Sequence, residues 1–113
     1  MYIIVTRAFP PELGGMQSLM WGLTKQISKN FMVKVFADYQ ENHKDFDSKV
    51  NFSIERVGGI KFLRKIRKAQ LINEFLKESK VQGIIADHWK SLELIKSEKK
   101  KILFNSRKRD QSS

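Results

Sequence analysis

"YIIVTRAFPPELGGMQSLM", residues 2–20, decides the fold of this 113-residue chain. It begins with a short apolar run over residues 2–6, which is typical of a strand buried on both faces of a parallel sheet. Two prolines and two glycines follow. From Gly15 onward apolar residues recur at three- and four-residue steps, at Met16, Leu19, Met20, Leu23 and Ile27. This spacing predicts an amphipathic helix that ends near residues 29–30. A strand, a turn-rich loop and a helix in this order predict the first unit of an α/β fold.

The alternation of strand-like and helix-like segments continues along the chain. The patterns predict strands over residues 31–37, 52–57, 83–87 and 101–105, helices over 61–80 and 91–98, and a polar loop over 38–49. This order predicts a doubly wound, Rossmann-like parallel sheet with helices on both faces. We expect one domain over residues 1–106 and a disordered basic and polar tail over 107–113. Because no helix follows the fifth strand to cover it, we expect the sheet to be one part of a larger protein.

Composition limits the classes of function. The chain has 22 Lys and Arg against 12 Asp and Glu, a net charge of +10, which favours polyanionic partners. It has no cysteine, which excludes disulfides and thiolate metal sites and fits a reducing compartment. Neither a signal peptide nor a run of about 20 apolar residues is present. We therefore expect a cytoplasmic protein without a bound metal, with peripheral contact at the inner face of the membrane left open.

The loop between the first strand and the first helix has the features of an anion site. Pro10 and Pro11 are expected to hold the loop extended, since each ring fixes φ and removes a donor. Gly14 and Gly15 let the backbone approach a ligand where the helix dipole favours an anion. Neither a P-loop nor a dinucleotide-binding fingerprint is present. The alternative, that these residues only end a strand and start a helix, stays open.

Two motifs resemble a known family. "FPPELGG", residues 9–15, follows the first strand, and "VKV", residues 33–35, forms the second strand. This arrangement resembles the N-terminal domain of the GT-B glycosyltransferases of the large retaining family 4. "IIADHW", residues 84–89, resembles the end of the family's fourth strand, two apolar residues followed by H-A-H. His88 takes the place of the second histidine, and Ala86 replaces the first.

The resemblance implies the acceptor-side, N-terminal part of an enzyme that moves a sugar from a nucleotide-sugar donor to the hydroxyl of a sugar or lipid-linked acceptor. It implies that Gly14, Gly15 and Met16 bind the donor phosphate and sugar and that His88 is catalytic, with no cofactor beyond the nucleotide-sugar substrate. In the family, a second Rossmann-like domain with a Glu-x7-Glu pair holds most of the nucleotide, and no two glutamates here have that spacing. The chain is thus expected to be truncated and inactive without a separate C-terminal domain.

Two residues at the end of the fourth strand have alternative interpretations. His88 could instead be a loop histidine without a role. Asp87 could serve as an acid–base group, although an Asp at a strand end more often caps the following helix, and we favour that structural role.

The helix predicted over residues 61–80 is strongly basic. Its apolar stripe must pack on the sheet and contains Phe62, Ile66, Ala69, Ile72 and Leu76. We therefore expect a basic outer face, with contact to an anionic membrane or another polyanion through Arg64, Lys65, Arg67 and Lys68 as a further option. The Lys and Arg runs at 99–101 and 107–109 come with no nucleic-acid-binding pattern, so nucleic acid is not the expected partner. The rival function is a non-catalytic basic module that binds an anionic membrane or nucleic acid.

Overall fold

The computed structural model describes residues 1–95 and 100–102. Strands and helices alternate through this part of the chain, as the sequence predicts. In chain order the elements are β1 (Tyr2–Val5), α1 (Gly15–Ser28), β2 (Val33–Asp38), α2 (His43–Ser48), β3 (Ser53–Val57), α3 (Lys61–Glu78), β4 (Gly83–Ala86), a 3₁₀ helix (Trp89–Leu92) and β5 (Lys100–Ile102).

The strands form one parallel sheet in the order β3-β2-β1-β4-β5. From β1 the chain moves outward through β2 to β3, and α3 then carries it back to β4, which pairs with the other side of β1. The direction of winding therefore reverses between β1 and β4. This confirms the predicted doubly wound, Rossmann-like α/β fold and places its topological switch point between those two strands.

Each face of the sheet is covered by one long helix. Alternate residues of a strand point to opposite faces, so neighbouring residues of β1 enter different cores. The core under α1 contains Ile4, Phe9, Met20, Val33, Val35 and Ala37. The core under α3 contains Ile3, Val5, Phe36, Ala69, Ile72 and Ile84 among its buried residues. Burial of each large apolar side chain contributes about 1.5–3 kcal/mol, so these two layers hold the helices on the sheet.

Several predicted boundaries were wrong. The segment predicted as a loop over 38–49 contains α2, which has one apolar side chain, Phe46, and therefore no periodicity to reveal it. Phe46 packs on Trp21 with ring centroids 5.1 Å apart. β2 begins at Val33, and Phe31 and Met32, which were predicted to open the strand, precede it with exposed side chains. A 3₁₀ helix over 89–92 occupies the start of the helix predicted over 91–98. Residues 93–95 form a turn and an irregular segment, so that part of the predicted helix is wrong. Residues 96–98 of that helix, residues 103–105 of the fifth strand and the tail lie outside the described residues.

The predicted apolar stripes are also corrected in part. Phe62 is 70 % exposed, because the first turn of α3 lines a cleft at the edge of the sheet and the core contacts begin further along the helix. In α1, Leu19 is exposed, whereas Thr24 is buried with its hydroxyl donating to the Met20 carbonyl at 2.7 Å. Among the described residues, no helix combines the length and the apolar character needed to span a membrane.

Candidate functional site at the carboxyl edge of the sheet

The loops that follow β1 and β4 meet at the switch point, where ligands of doubly wound sheets bind. Asp87, directly after β4, is 4 % exposed and joins the two loops. One of its carboxylate oxygens accepts from the Arg7 amide at 3.0 Å and from the Thr6 hydroxyl at 3.2 Å. The other accepts from the Ser91 hydroxyl at 2.9 Å. These bonds give Asp87 the structural role that the sequence favoured, although it joins loops and does not cap the next helix.

The cap of the 3₁₀ helix is His88. Its Nδ1 accepts from the Lys90 amide at 3.2 Å, and its ring is partly buried beside the switch point. With Nδ1 as acceptor, a neutral imidazole carries its proton on Nε2. His88 is thus oriented by the backbone at the carboxyl edge, and a catalytic role for it stays a prediction.

The loop over residues 9–15, which we call the glycine loop, is anchored toward β2. Phe9 is fully buried, in edge-to-face contact with Trp21 and Phe46 at ring-centroid distances of 6.1 and 6.2 Å. The Gln40 side-chain amide donates to the Phe9 carbonyl at 3.0 Å and accepts from the Glu12 amide at 2.9 Å. The loop therefore has a fixed position over the core under α1.

A buried ion pair also holds the glycine loop. The Arg56 guanidinium donates to both carboxylate oxygens of Asp47, at 3.1 and 2.8 Å, and to the Pro10 carbonyl at 2.6 Å. Pro10 and Pro11 were expected to hold the loop extended. Instead the chain turns at these two residues, whose peptide bond is cis. The conformation of the loop thus depends on Arg56 of β3, which the local sequence does not reveal.

The glycine loop ends at an uncapped helix N-terminus. The first bond along the helix runs from the Ser18 amide to the Gly14 carbonyl at 3.0 Å, so the amides of Gly15, Met16 and Gln17 have no partner within the helix. The N-cap, Gly14, supplies no capping side chain, and the first turn has no acidic residue. Both glycines are exposed. The positive end of the helix dipole is therefore accessible to an anion.

The three residues predicted to bind the donor are thus together, but they contribute differently. Gly14 and Gly15 present backbone at the surface, and a Cβ at Gly15 would meet no heavy atom within 4 Å. The Met16 side chain packs against the core under α1, so only its amide can face a ligand. The predicted site is therefore a backbone site.

On the α3 side of the same edge lies a cleft of about 560 Å³, which we call the basic cleft. Its walls come from the loop after β1, the end of β2, the first half of α3 and the 3₁₀ helix. The cationic residues that line it are Arg7, Lys61, Arg64, Lys65, Lys68 and Lys90, and its two carboxylates are Asp38 and Glu93.

The cleft is lined by three of the four basic residues that were predicted on the outer face of the helix, namely Arg64, Lys65 and Lys68. The prediction of an outer-face position is therefore wrong for these three. Lys68 is only 6 % exposed; its Nζ lies 2.5 Å from Asp38 and donates to the Thr6 carbonyl at 3.2 Å. Burial lowers the pKa of Lys68, opposed by the Asp38 carboxylate. Arg64 also pairs with Asp38, at 3.3 Å, and Lys65 pairs with Glu93. Only Arg67 of the four is exposed.

Four of the residues that line the cleft were not predicted as site residues: Arg7, Asp38, Lys61 and Lys90. Arg7 and Asp38 could have been predicted as site residues from the sequence. Each lies at the carboxyl end of a predicted strand, and those ends meet at one edge of a parallel sheet. Lys61 and Lys90 could not have been predicted in this way, because only the packing of α3 and of the 3₁₀ helix brings them to that edge.

No protein-family model matches the chain, and no curated protein sequence matches it. The fold and the site therefore define the class: a Rossmann-like α/β domain with an uncapped helix N-terminus and a basic cleft at the carboxyl edge of its sheet. Within residues 1–95 and 100–102, no group of three or more side chains is arranged to hold a metal ion.

Proposed function

We propose that this chain is the acceptor-side, N-terminal part of a retaining glycosyltransferase that uses a nucleotide-sugar donor. One observation carries the proposal: the F-P-P-E-L-G-G loop leads from the carboxyl end of β1 into an uncapped helix N-terminus with exposed Gly14 and Gly15. Three adjacent amides in that geometry suit the oxygens of a diphosphate, and the absence of a Cβ at Gly15 leaves room for close approach.

His88 is the proposed catalytic contact. Its imidazole, with Nδ1 accepting from the Lys90 amide, would present Nε2–H as a donor to a reacting hydroxyl or to the departing phosphate. Such a donor stabilises charge that develops as the sugar leaves, and the enzyme gains the rest of its rate from positioning the two substrates. No nucleophilic side chain is required by this proposal.

Sugar transfer would need a second domain for the donor. The family that the sequence resembles binds most of the nucleotide on a second Rossmann-like domain with a Glu-x7-Glu pair, and this sequence contains no such pair. We therefore expect this chain to bind nucleotide sugars weakly and to transfer sugar only when that second domain is present.

A second candidate function is a basic module that contacts an anionic membrane. Ile60, Phe62 and Leu63 are 68, 70 and 56 % exposed around Lys61 at the start of α3, a mixture of apolar and cationic side chains that suits a lipid surface. This candidate predicts binding that weakens with salt and does not respond to substitutions at Gly15.

Titration of the chain with UDP-glucose, GDP-mannose and ADP-glucose, followed by the NMR shifts of the amides of residues 14–17, tests the proposal. The decisive variant is Gly15→Asp, which places a carboxylate at the helix start, where space is open and the dipole favours a negative charge. We expect at least a tenfold loss of affinity, about 1.4 kcal/mol, with the fold retained.

The matched control is Gly22→Asp, which adds the same charge to α1 where a Cβ also meets nothing within 4 Å. Its affinity for the nucleotide sugar should equal that of the unaltered chain. Absence of shifts with every nucleotide sugar, or an equal loss in both variants, would overturn the proposal.

A further inference from the structure

We propose that the basic cleft binds the phosphate group of an organic phosphate. The inference rests on the proposed function only in one respect, that this phosphate belongs to the acceptor. Binding of a phosphate in the cleft is a property of the residues described above and can be measured without sugar transfer.

The charges in the cleft do not balance. Its carboxylates are already engaged, Asp38 by both Lys68 and Arg64, and Glu93 by Lys65. The three remaining cations, Arg7, Lys61 and Lys90, take part in no ion pair with any residue that the structure describes. A concave surface with such an excess of positive charge concentrates anions.

The three cations come from different elements. Arg7 follows β1, Lys61 opens α3, and Lys90 lies in the 3₁₀ helix after β4. Convergence of three separate segments on one cavity distinguishes the cleft from a solvated charged face of a single helix. A volume of about 560 Å³ is that of a small-molecule site, large enough for a phosphate with a sugar or other organic group attached.

The start of α3 adds to the positive potential. Its N-cap, Ile60, supplies no capping side chain, and its first turn contains no acidic residue. The first bond along the helix runs from the Arg64 amide to the Ile60 carbonyl at 2.8 Å. The amides of residues 61–63 therefore have no partner within the helix, and they lie at the same end as the Lys61 side chain. Phosphate oxygens accept hydrogen bonds from both kinds of donor.

The basic cleft and the glycine loop are separate. α1 and α3 cover opposite faces of the sheet, and the glycine loop is held by Gln40 and Arg56, neither of which lines the cleft. A donor diphosphate on one and an acceptor phosphate in the other would not compete. The phosphate could be carried by a water-soluble molecule or by a lipid, and exposed Phe62 in the cleft wall could contact an apolar group in either case.

Two binding measurements on the full chain separate these sources. Calorimetric titration with glucose 6-phosphate, with glucose as the blank, tests a soluble phosphate. Co-sedimentation with vesicles of phosphatidylcholine and phosphatidic acid, with phosphatidylcholine alone as the blank, tests a lipid phosphate. Binding in either measurement supports the inference and identifies the source if Lys90→Glu alone weakens it, because Lys90 lines the cleft and lies outside the exposed patch around Lys61. Vesicle binding that Lys90→Glu leaves unchanged would overturn the lipid source.

The variant that tests dependence on the cleft is Lys61→Glu with Lys90→Glu, and the matched control is Lys77→Glu with Lys80→Glu. Both double variants change the net charge equally, but Lys77 lies in the last turn of α3 and Lys80 lies just after its end. We expect the first to lose at least about tenfold in affinity for the phosphate probe and the control to lose less than about twofold. Far-UV circular dichroism and thermal unfolding verify that each variant folds.

Absence of phosphate binding in both measurements, or an equal loss in both double variants, overturns the inference. The test of Gly15→Asp with UDP-glucose keeps this failure separate from failure of the proposed function. If nucleotide sugars bind and phosphates do not, only the cleft assignment falls. If phosphates bind in the cleft and no nucleotide sugar binds, the cleft assignment stands and its link to an acceptor is overturned.

Discussion

The helices α1 and α3 both begin at the carboxyl edge of the sheet, yet they differ in what they present there. α1 contains a single charged residue, Lys25, and starts with exposed Gly15 and uncapped amides. α3 starts with Lys61 and carries Arg64, Lys65 and Lys68 into the basic cleft. Backbone amides act at short range and with fixed geometry, whereas lysine and arginine side chains act further out and are weakened by salt. The same edge of one fold can therefore recognise an anion in two physically different ways.

The two cores also differ in composition, one being aromatic and the other mainly aliphatic with a buried charge beside it. The core under α1 contains an aromatic cluster of Phe9, Trp21, Phe46 and Phe52. The core under α3 is mainly aliphatic, and beside it the Lys68 stem crosses buried surface to bring its ammonium group to Asp38. The glycine loop is thus fixed by apolar packing together with the polar contacts of Gln40 and Arg56, whereas the cleft is fixed mainly by charge.

The largest expected effect concerns the apolar anchor of the glycine loop. Phe9→Ala should lower the free energy of unfolding by about 3–5 kcal/mol, because it removes a fully buried ring from the aromatic cluster. Urea denaturation followed by circular dichroism measures it. Phe62→Ala, at a 70 % exposed position on the other helix, is the control and should change stability by no more than about 0.5 kcal/mol. Similar losses in the two variants would contradict the assignment of Phe9 as the anchor.

A smaller loss is expected on the charged side. Asp38→Asn should cost about 3 kcal/mol, because it leaves Lys68 buried without its carboxylate partner and also removes the Arg64 pair. Urea denaturation at neutral pH provides the value. Glu55→Gln removes the more exposed Lys34–Glu55 pair and should cost less than about 1 kcal/mol. A negligible effect of Asp38→Asn would show that Lys68 does not depend on this carboxylate.

The smallest expected effect is a pH dependence. Burial lowers the pKa of Lys68 below 10.5, so between its folded-state pKa and 10.5 the unfolded chain binds this proton more strongly than the folded chain. The measurement compares the free energy of unfolding of the unaltered chain with that of Lys68→Met. The difference, unaltered chain minus variant, should therefore rise as the pH approaches 10.5 and stay constant at lower pH. A difference that falls with rising pH would mean that the charge of Asp38 outweighs burial.

Much of the fold was predictable because its signals are local. The apolar run of β1 and the three- and four-residue spacing after Gly15 predicted the first strand and helix, and the alternation through the chain predicted the parallel doubly wound sheet. α2 was missed because Phe46, its one apolar side chain, packs on aromatic residues from other elements. Phe62 was assigned to the core because periodicity identifies a helix face but not how far the sheet extends beneath it.

The glycine loop was the part of the candidate site that the sequence located. Prolines and glycines act through their own backbone, so their positions in the chain were enough to predict a sharp, open start to α1. The turn at Pro10 and Pro11 was not predictable, since the Arg56 guanidinium that holds it belongs to β3. The basic cleft was not predictable as a cavity either, because its residues are far apart in the chain.

By itself, then, the sequence determined the alternation of the strands with the two long helices, the class of fold, the net charge and the position of the glycine loop, since each of these follows from a residue and its near neighbours. Only the tertiary structure decided the switch point between β1 and β4, the burial of Lys68 against Asp38, and the convergence of Arg7, Lys61 and Lys90 on one cleft. The physical reason is that a charge becomes paired, buried or available according to what packs against it, and that is set by contacts between segments distant in the chain.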